Sequence, residues 1–127
     1  MSEIRALIVD DSSVMRKIIE RSLRQAGLDE MIVLEAGNGT EGLEVLRSRK
    51  VDLILSDINM PLMDGLEFLR RLRAESLAPD VPVVMITTES SEAHVKEAIL
   101  SGAQGYIRKP FTPDQVKERV LSLLKIA

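Results

Sequence analysis

Five short apolar runs divide the chain: Ala6 to Val9, Met31 to Leu34, Val51 to Leu55, Val81 to Ile86 and Gly105 to Ile107. The first four are almost continuous in Leu, Ile, Val and Met, which is how a strand reads when a parallel sheet buries both its faces. Between the runs, apolar residues recur at helical spacing. Val14, Ile18, Ile19 and Leu23 form one stripe, Leu43 and Leu46 a second, and Leu69 and Leu72 a third. Val95, Ala98 and Ile99 form a fourth, and Val116, Val120, Leu123 and Leu124 a fifth, each predicting an amphipathic helix.

The punctuation agrees with this division. Asn38 with Glu41, and Thr112-Pro113 with Gln115, resemble capping boxes, the second with proline at the first helical position. Gly27 and Gly102 stand where two helices should stop. The pattern is (βα) repeated five times, an α/β chain with a five-stranded parallel sheet, helices on both faces and right-handed crossovers. Residues 1–127 read as a single domain with no linker or low-complexity segment.

Composition narrows the function classes. A chain of 127 residues is one domain's worth and large enough for a core without crosslinks. It has no cysteine, which removes disulfides, thiolate metal sites and cysteine nucleophiles together. The net charge of -3 gives no bias toward nucleic acid or an anionic membrane. Apolar runs are strand-length, short of the roughly 20 residues a membrane helix needs. With no signal peptide pattern at the start, the expected location is the cytoplasm.

Chemistry gathers at the ends of the runs, where open parallel sheets bind ligands. Asp10 and Asp11 follow the first, Ser56 and Asp57 the third, Thr87 and Thr88 the fourth, and Arg108, Lys109 and Pro110 the fifth. The second ends in the blander Glu35-Ala36. Three carboxylates on one sheet edge repel, and a divalent cation relieves this. Oxygen-only ligands suit Mg2+. With the cation and Lys109 the charge nearly balances, leaving one carboxylate free to act as a nucleophile in phosphoryl transfer.

Each residue alone has an ordinary explanation. An aspartate after a strand is a turn or cap residue, Thr87 finishes a β-branched strand, and Lys109 is a solvated charge. Met60-Pro61 and Asp64-Gly65 pass as turn chemistry. The methionines at 15, 60, 63 and 85 read as packing, and His94, the single histidine, as a surface residue. Joint placement at successive strand ends is what points to a site.

Asp10-Asp11, the run from Ile54 to Pro61, Asp64-Gly65, Thr87 and Lys109-Pro110-Phe111 together resemble the response-regulator receiver signature across the whole chain. The resemblance implies a flavodoxin-like fold. Its strand order 2-1-3-4-5 is that of the receiver protein CheY, a standard example of this sheet, and is taken from there rather than from the residues. It implies that Asp57 accepts a phosphoryl group from a histidine kinase. Mg2+ would be held by Asp11, Asp57 and the Asn59 carbonyl, with Asp10 acting through water. Lys109 would pair with the phosphoryl oxygens, Thr87 would hydrogen-bond them, and the Lys109-Pro110 bond would be cis.

Within the family the chain is most similar to single-domain chemotaxis regulators of the CheY type. The residues are Ser12-Ser13 after Asp11, Met15-Arg16, Tyr106, and the pair Asn59 and Glu89, which would tune dephosphorylation. Thr88 departs from the alanine many members have there. Thr87 and Tyr106 would act as a coupled switch. The readout would be the fourth helix, fifth strand and fifth helix, with Val95, Lys96, Ile99, Tyr106 and Lys117. Expected partners are a histidine kinase, a separate output protein such as a flagellar motor switch component, and a phosphatase, the chain itself being a monomer.

Four other readings stand beside this one. A single-domain receiver could serve as a relay or phosphate sink outside chemotaxis. A haloacid-dehalogenase-like aspartyl-phosphate phosphatase uses a similar kit, but its two aspartates are two residues apart, where Asp10 and Asp11 are adjacent. A flavodoxin-like electron carrier needs aromatics over its flavin, and the aromatic content is 2%. A non-phosphorylated adaptor of the same fold would not need the acidic site.

Overall fold

A computed structural model describes residues 4–88 and 92–124. In chain order the elements are β1 (Arg5–Val9), α1 (Ser13–Gln25), β2 (Ile32–Ala36), α2 (Gly39–Ser48) and β3 (Leu53–Ser56). There follow α3 (Gly65–Ala74), β4 (Val83–Thr87), α4 (Glu92–Leu100), β5 (Gly105–Arg108) and α5 (Pro113–Leu124). All strand pairs are parallel, in the order β2-β1-β3-β4-β5. This is the flavodoxin-like sheet that the resemblance implied.

Alternation along each strand sends successive side chains to opposite faces. Leu7, Val9, Ile54, Val83 and Met85 meet Leu43 and Leu46 of α2, Leu66, Phe68, Leu69 and Leu72 of α3, and Ala98 of α4. Ala6, Ile8, Leu53, Leu55, Val84, Ile86 and Ile107 meet Ile19 and Leu23 of α1 and Val116 and Val120 of α5. The central strands are apolar throughout because both faces are covered. The edge strands β2 and β5 are only partly buried.

The strands are shifted from the apolar runs. β2 extends through Glu35 and Ala36, β3 begins only at Leu53 and takes in Ser56, and β4 takes in Thr87. Hydrogen-bonding register, rather than hydrophobicity, decides where a ladder ends. The first helical stripe also needs correction. Val14 is 68% exposed and Ile18 42%, while Ile19, Ser22 and Leu23 face inward. At 3.6 residues per turn, Met15, Ile19, Ser22, Leu23 and Ala26 share one face, and Val14 and Ile18 lie to its side. On α4, Ala98 is the one buried residue among those described, and Ile99 is exposed.

Caps fix the helix starts. Ser12 Oγ accepts from Met15 N (3.1 Å) and Asp64 Oδ1 from Glu67 N (2.8 Å). Thr112 and Gln115 form the reciprocal box: Thr112 Oγ1 accepts from Gln115 N at 3.2 Å and Gln115 Oε1 from Thr112 N at 2.9 Å. Asn38 Oδ1 accepts from Glu41 N (2.9 Å), but Glu41 reaches back to Gly37 N (3.2 Å), one residue earlier than in a capping box. Gly27 and Gly102, with φ of 112° and 109°, end α1 and α4 in the left-handed region.

At the N-terminal end of the sheet, Arg73 closes α3. Its guanidinium donates to Ala78 O (2.8 Å), Val81 O (3.1 Å), Gly102 O (3.0 Å) and Gln104 Oε1 (3.2 Å). Gln104 Oε1 also accepts from Val83 N at 2.8 Å. These acceptors are all uncharged, and desolvation lowers the guanidinium's pKa. No helix among the described residues is long and apolar enough to cross a membrane.

Candidate acidic phosphoacceptor site

The parallel ladders continue one residue past several strands. Asp10 N donates to Ala36 O (3.0 Å), Asp57 N to Val9 O (2.9 Å) and Lys109 N to Thr87 O (2.9 Å). These bonds hold Asp10, Asp57 and Lys109 at one level of the C-terminal edge. Lys109 Nζ then donates to Asp10 Oδ2 at 2.8 Å and to Asp57 Oδ2 at 3.2 Å. The other oxygens are also engaged. Asp10 Oδ1 accepts from Ser12 N (2.9 Å), and Asp57 Oδ1 from Ile58 N (2.7 Å).

Asp11 completes the cluster. One carboxylate oxygen from each of Asp10, Asp11 and Asp57 lies within 4.8 Å of the others. Asp10 is 1% exposed and Asp57 9%, whereas Asp11 is exposed. One ammonium against three carboxylates leaves an excess of negative charge in a partly desolvated pocket. The donor set is oxygen-only, and Asp11 leaves it open to solvent. That chemistry fits a hard divalent cation that keeps some of its water.

The loop after β3 is built tightly beneath Asp57. Ser56 Oγ donates to Asp57 O (2.9 Å), and Gly65 N donates to Ile58 O (2.8 Å). A Cβ at Gly65 would overlap the Asp57 carbonyl oxygen. Asp64-Gly65 is therefore more than a turn: Asp64 caps α3, and the glycine lets the start of α3 touch the acceptor's backbone. Leu62 has φ of 67° and is 87% exposed beside this loop.

The remaining residues singled out in the sequence lie around this core. Thr87 is fully buried at the end of β4, opposite Arg108, and Thr88 is exposed. Asn59 is exposed two residues after Asp57. Tyr106 is half-buried in β5, opposite Met85 and packed against the core. Val95 is half-buried and Ile99 57% exposed on α4, while Lys96 and Lys117 are exposed. His94 is half-buried on α4 rather than fully at the surface. Glu89 lies outside the described residues. The Lys109-Pro110 bond is cis.

Sequence reasoning gave no site role to Arg16 or Glu35. Arg16 Nη1 donates to the Asp10 carbonyl at 2.6 Å, and its Nε donates to Glu35 Oε1 at 2.9 Å. The hydrogen bond from Arg16 holds the Glu35 carboxyl below its usual pKa, with Lys17 also contributing. A cation one turn into α1, facing an acid at the end of the neighbouring strand, was the available signal.

Comparison with known proteins agrees with this geometry. The family model described as response regulator receiver domain matches residues 6–121. A chemotaxis protein CheY homolog of Campylobacter jejuni is 43% identical over 122 residues, covering 95% of this chain and 92% of the relative. The chemotaxis protein CheY of Pseudomonas aeruginosa is 40% identical over 117 residues, covering 92% and 93%. The solved structure of chemotaxis protein CheY4 of Vibrio cholerae superimposes with a TM-score of 0.85 at 34% identity, covering 96% of this chain and 99% of that one. These likenesses set aside the phosphatase and flavin-carrier readings: the chain is a two-component signalling protein and not an enzyme acting on a separate substrate. With its sheet order, its acidic pocket and its bridging lysine, the chain belongs to the response-regulator receiver family as a CheY-like member.

Proposed function

We propose that Asp57 is the phosphoacceptor of a two-component pathway and that its modification switches the α4-β5-α5 face. The observation that carries this is Lys109 Nζ seated between Asp10 and Asp57, on the Oδ2 atom of each. An ammonium so placed would follow a phosphoryl group that formed a bond to an Asp57 oxygen as the bond to the donor broke. Asp10, Asp11, Asp57 and the Asn59 carbonyl would hold Mg2+, which supplies neutralisation of the transferring phosphoryl charge. The donor is a histidine kinase, as the family implies.

Phosphorylation replaces one negative charge with nearly two and adds acceptor oxygens. Thr87, buried at the end of β4, would hydrogen-bond them, and Tyr106 would follow on β5. On this reading Asn59 and Glu89 would tune the access of water, and Thr88 that of water or a phosphatase. The output face suits a switch because α4 is weakly anchored through Ala98. An open groove of about 430 Å3 there includes Val95, Lys96, Ile99 and Arg108 in its lining. Similarity to chemotaxis proteins supports an output in chemotaxis, through a separate protein such as a flagellar motor switch component. The same reading makes the protein a cytoplasmic monomer that meets its partners there.

Incubation with acetyl phosphate and Mg2+, followed by intact mass measurement, tests the proposal. One phosphoryl adduct is expected, not formed when Mg2+ is chelated beforehand and absent in Asp57→Asn. No adduct, or an unchanged adduct in that variant, would refute it. Pull-downs with and without a phosphoryl mimic then separate a motor component from a relay partner.

A further inference from the structure

We infer that Arg16, braced by Glu35, is a positioning residue that sets the pose of the Asp11 carboxylate in the acidic cluster. The inference rests on the Mg2+ reading of that cluster. Asp10 is held at every polar atom: N–H on Ala36 O, Oδ1 by Ser12 N, Oδ2 by Lys109 and its carbonyl by Arg16. Asp11 differs. It is exposed, and its carboxylate makes no hydrogen bond among the described residues. Its position is therefore inherited from its backbone, and the peptide plane leading into it is the one whose oxygen Arg16 holds at 2.6 Å.

The brace is short and mostly buried. The Arg16 side chain is 19% exposed, and its Nε is fixed on Glu35 Oε1. Glu35 is also held by Lys17 Nζ at 3.2 Å. The chain of contacts runs from the end of β2 through Glu35 and Arg16 to the Asp10 carbonyl, and so to Asp11. Groups that orient metal ligands in this way commonly change metal affinity about tenfold or more when removed.

Charge and position predict opposite signs, which makes the inference testable. By Coulomb's law, removing a cation beside an acidic pocket strengthens Mg2+ binding. Loss of positioning weakens it. The measurement is an NMR titration of the unphosphorylated protein with Mg2+, following the amides of Asp11, Ile58 and Gly65. Arg16→Gln is expected to raise the dissociation constant roughly tenfold. Arg16→Lys, which keeps a donor for the Asp10 carbonyl, should recover part of the loss.

With acetyl phosphate, the half-saturating Mg2+ concentration should rise by the same factor in Arg16→Gln, while the rate at saturating Mg2+ stays within about twofold of the unaltered protein. Melting curves without Mg2+ check folding, and if Arg16→Gln fails to fold, Arg16→Lys carries the test with a smaller rise. Equal or tighter Mg2+ binding in the folded variants overturns the inference and leaves the phosphoacceptor reading intact. An unaltered protein that binds no Mg2+ overturns both.

Discussion

The two ends of the parallel sheet handle charge in opposite ways. At the N-terminal end, Arg73 faces only uncharged acceptors and ties the turn before β4 to the turn before β5. The acceptors it reaches are paired, and no like charges are brought together by it. At the C-terminal end, three carboxylates share one ammonium, so the side chains repel while the backbone beneath them is locked by ladder bonds and by Gly65. Rigidity is common to both ends. Unbalanced charge belongs to one, and a rigid frame is what keeps repelling groups from moving apart.

Substitutions at each end sharpen this contrast. The largest effect is expected for Gly65→Ala, because a methyl group would collide with the Asp57 backbone, which cannot rotate aside as a side chain could. A loss of about 3 kcal/mol in urea unfolding is expected, with slower acceptance of phosphate. Unchanged stability would show that the loop beneath Asp57 is softer than its contacts suggest. Arg73→Ala should cost roughly 2 kcal/mol by leaving carbonyls unpaired, yet leave acetyl phosphate labelling of Asp57 near its normal rate. If labelling fell as far as stability did, the two ends would not be separable.

Asp11→Asn should act in the opposite direction. It removes one repelling charge and no hydrogen bond, so it should stabilise by roughly 1 kcal/mol at low salt. Added Mg2+ should raise the melting temperature of the unaltered protein more than that of the variant. A destabilised Asp11→Asn would refute the idea of stored repulsion. The smallest effect concerns Glu35, whose folded carboxyl lies below its ordinary value of 4.5. A depressed carboxyl pKa contributes stability above pH 4.5, and the contribution disappears as pH falls through the folded value. Glu35→Gln should flatten that part of the acid limb by under about 1 kcal/mol, measured as stability against pH.

Much of the frame was legible because burial on both faces writes strands as continuous apolar runs. The site was legible because Asp10, Asp57, Thr87 and Lys109 all fall within two residues of the ends of such runs. Arg16 and Arg73 were not legible in the same way. Arg73 meets mostly backbone carbonyls, which every residue type carries, so nothing in the partner's identity marks the contact; Arg16 has an acid in Glu35 to mark it, but its contact to the site is the Asp10 carbonyl. Gly65 was read as turn chemistry and as part of the receiver signature, but not as a packing requirement, because that requirement arises from a carbonyl eight residues away. Val14 and Ile18 misled because four apolar residues do not by themselves say which side of a helix faces inward.

The Lys109–Asp10 bridge spans 99 positions of the chain. In a chain made from its N-terminus, β1 can be flanked on both sides once Asp57 has emerged, and the three carboxylates are then already present. Their counter-ion is still more than fifty residues short of synthesis, and it arrives only when β5 is laid on the growing edge of the sheet. A chain stopped before Lys109 would hold the acceptor and all its acidic neighbours, but with nothing between them. The last strand thus does more than complete a sheet: its arrival turns a repulsive cleft into a poised one.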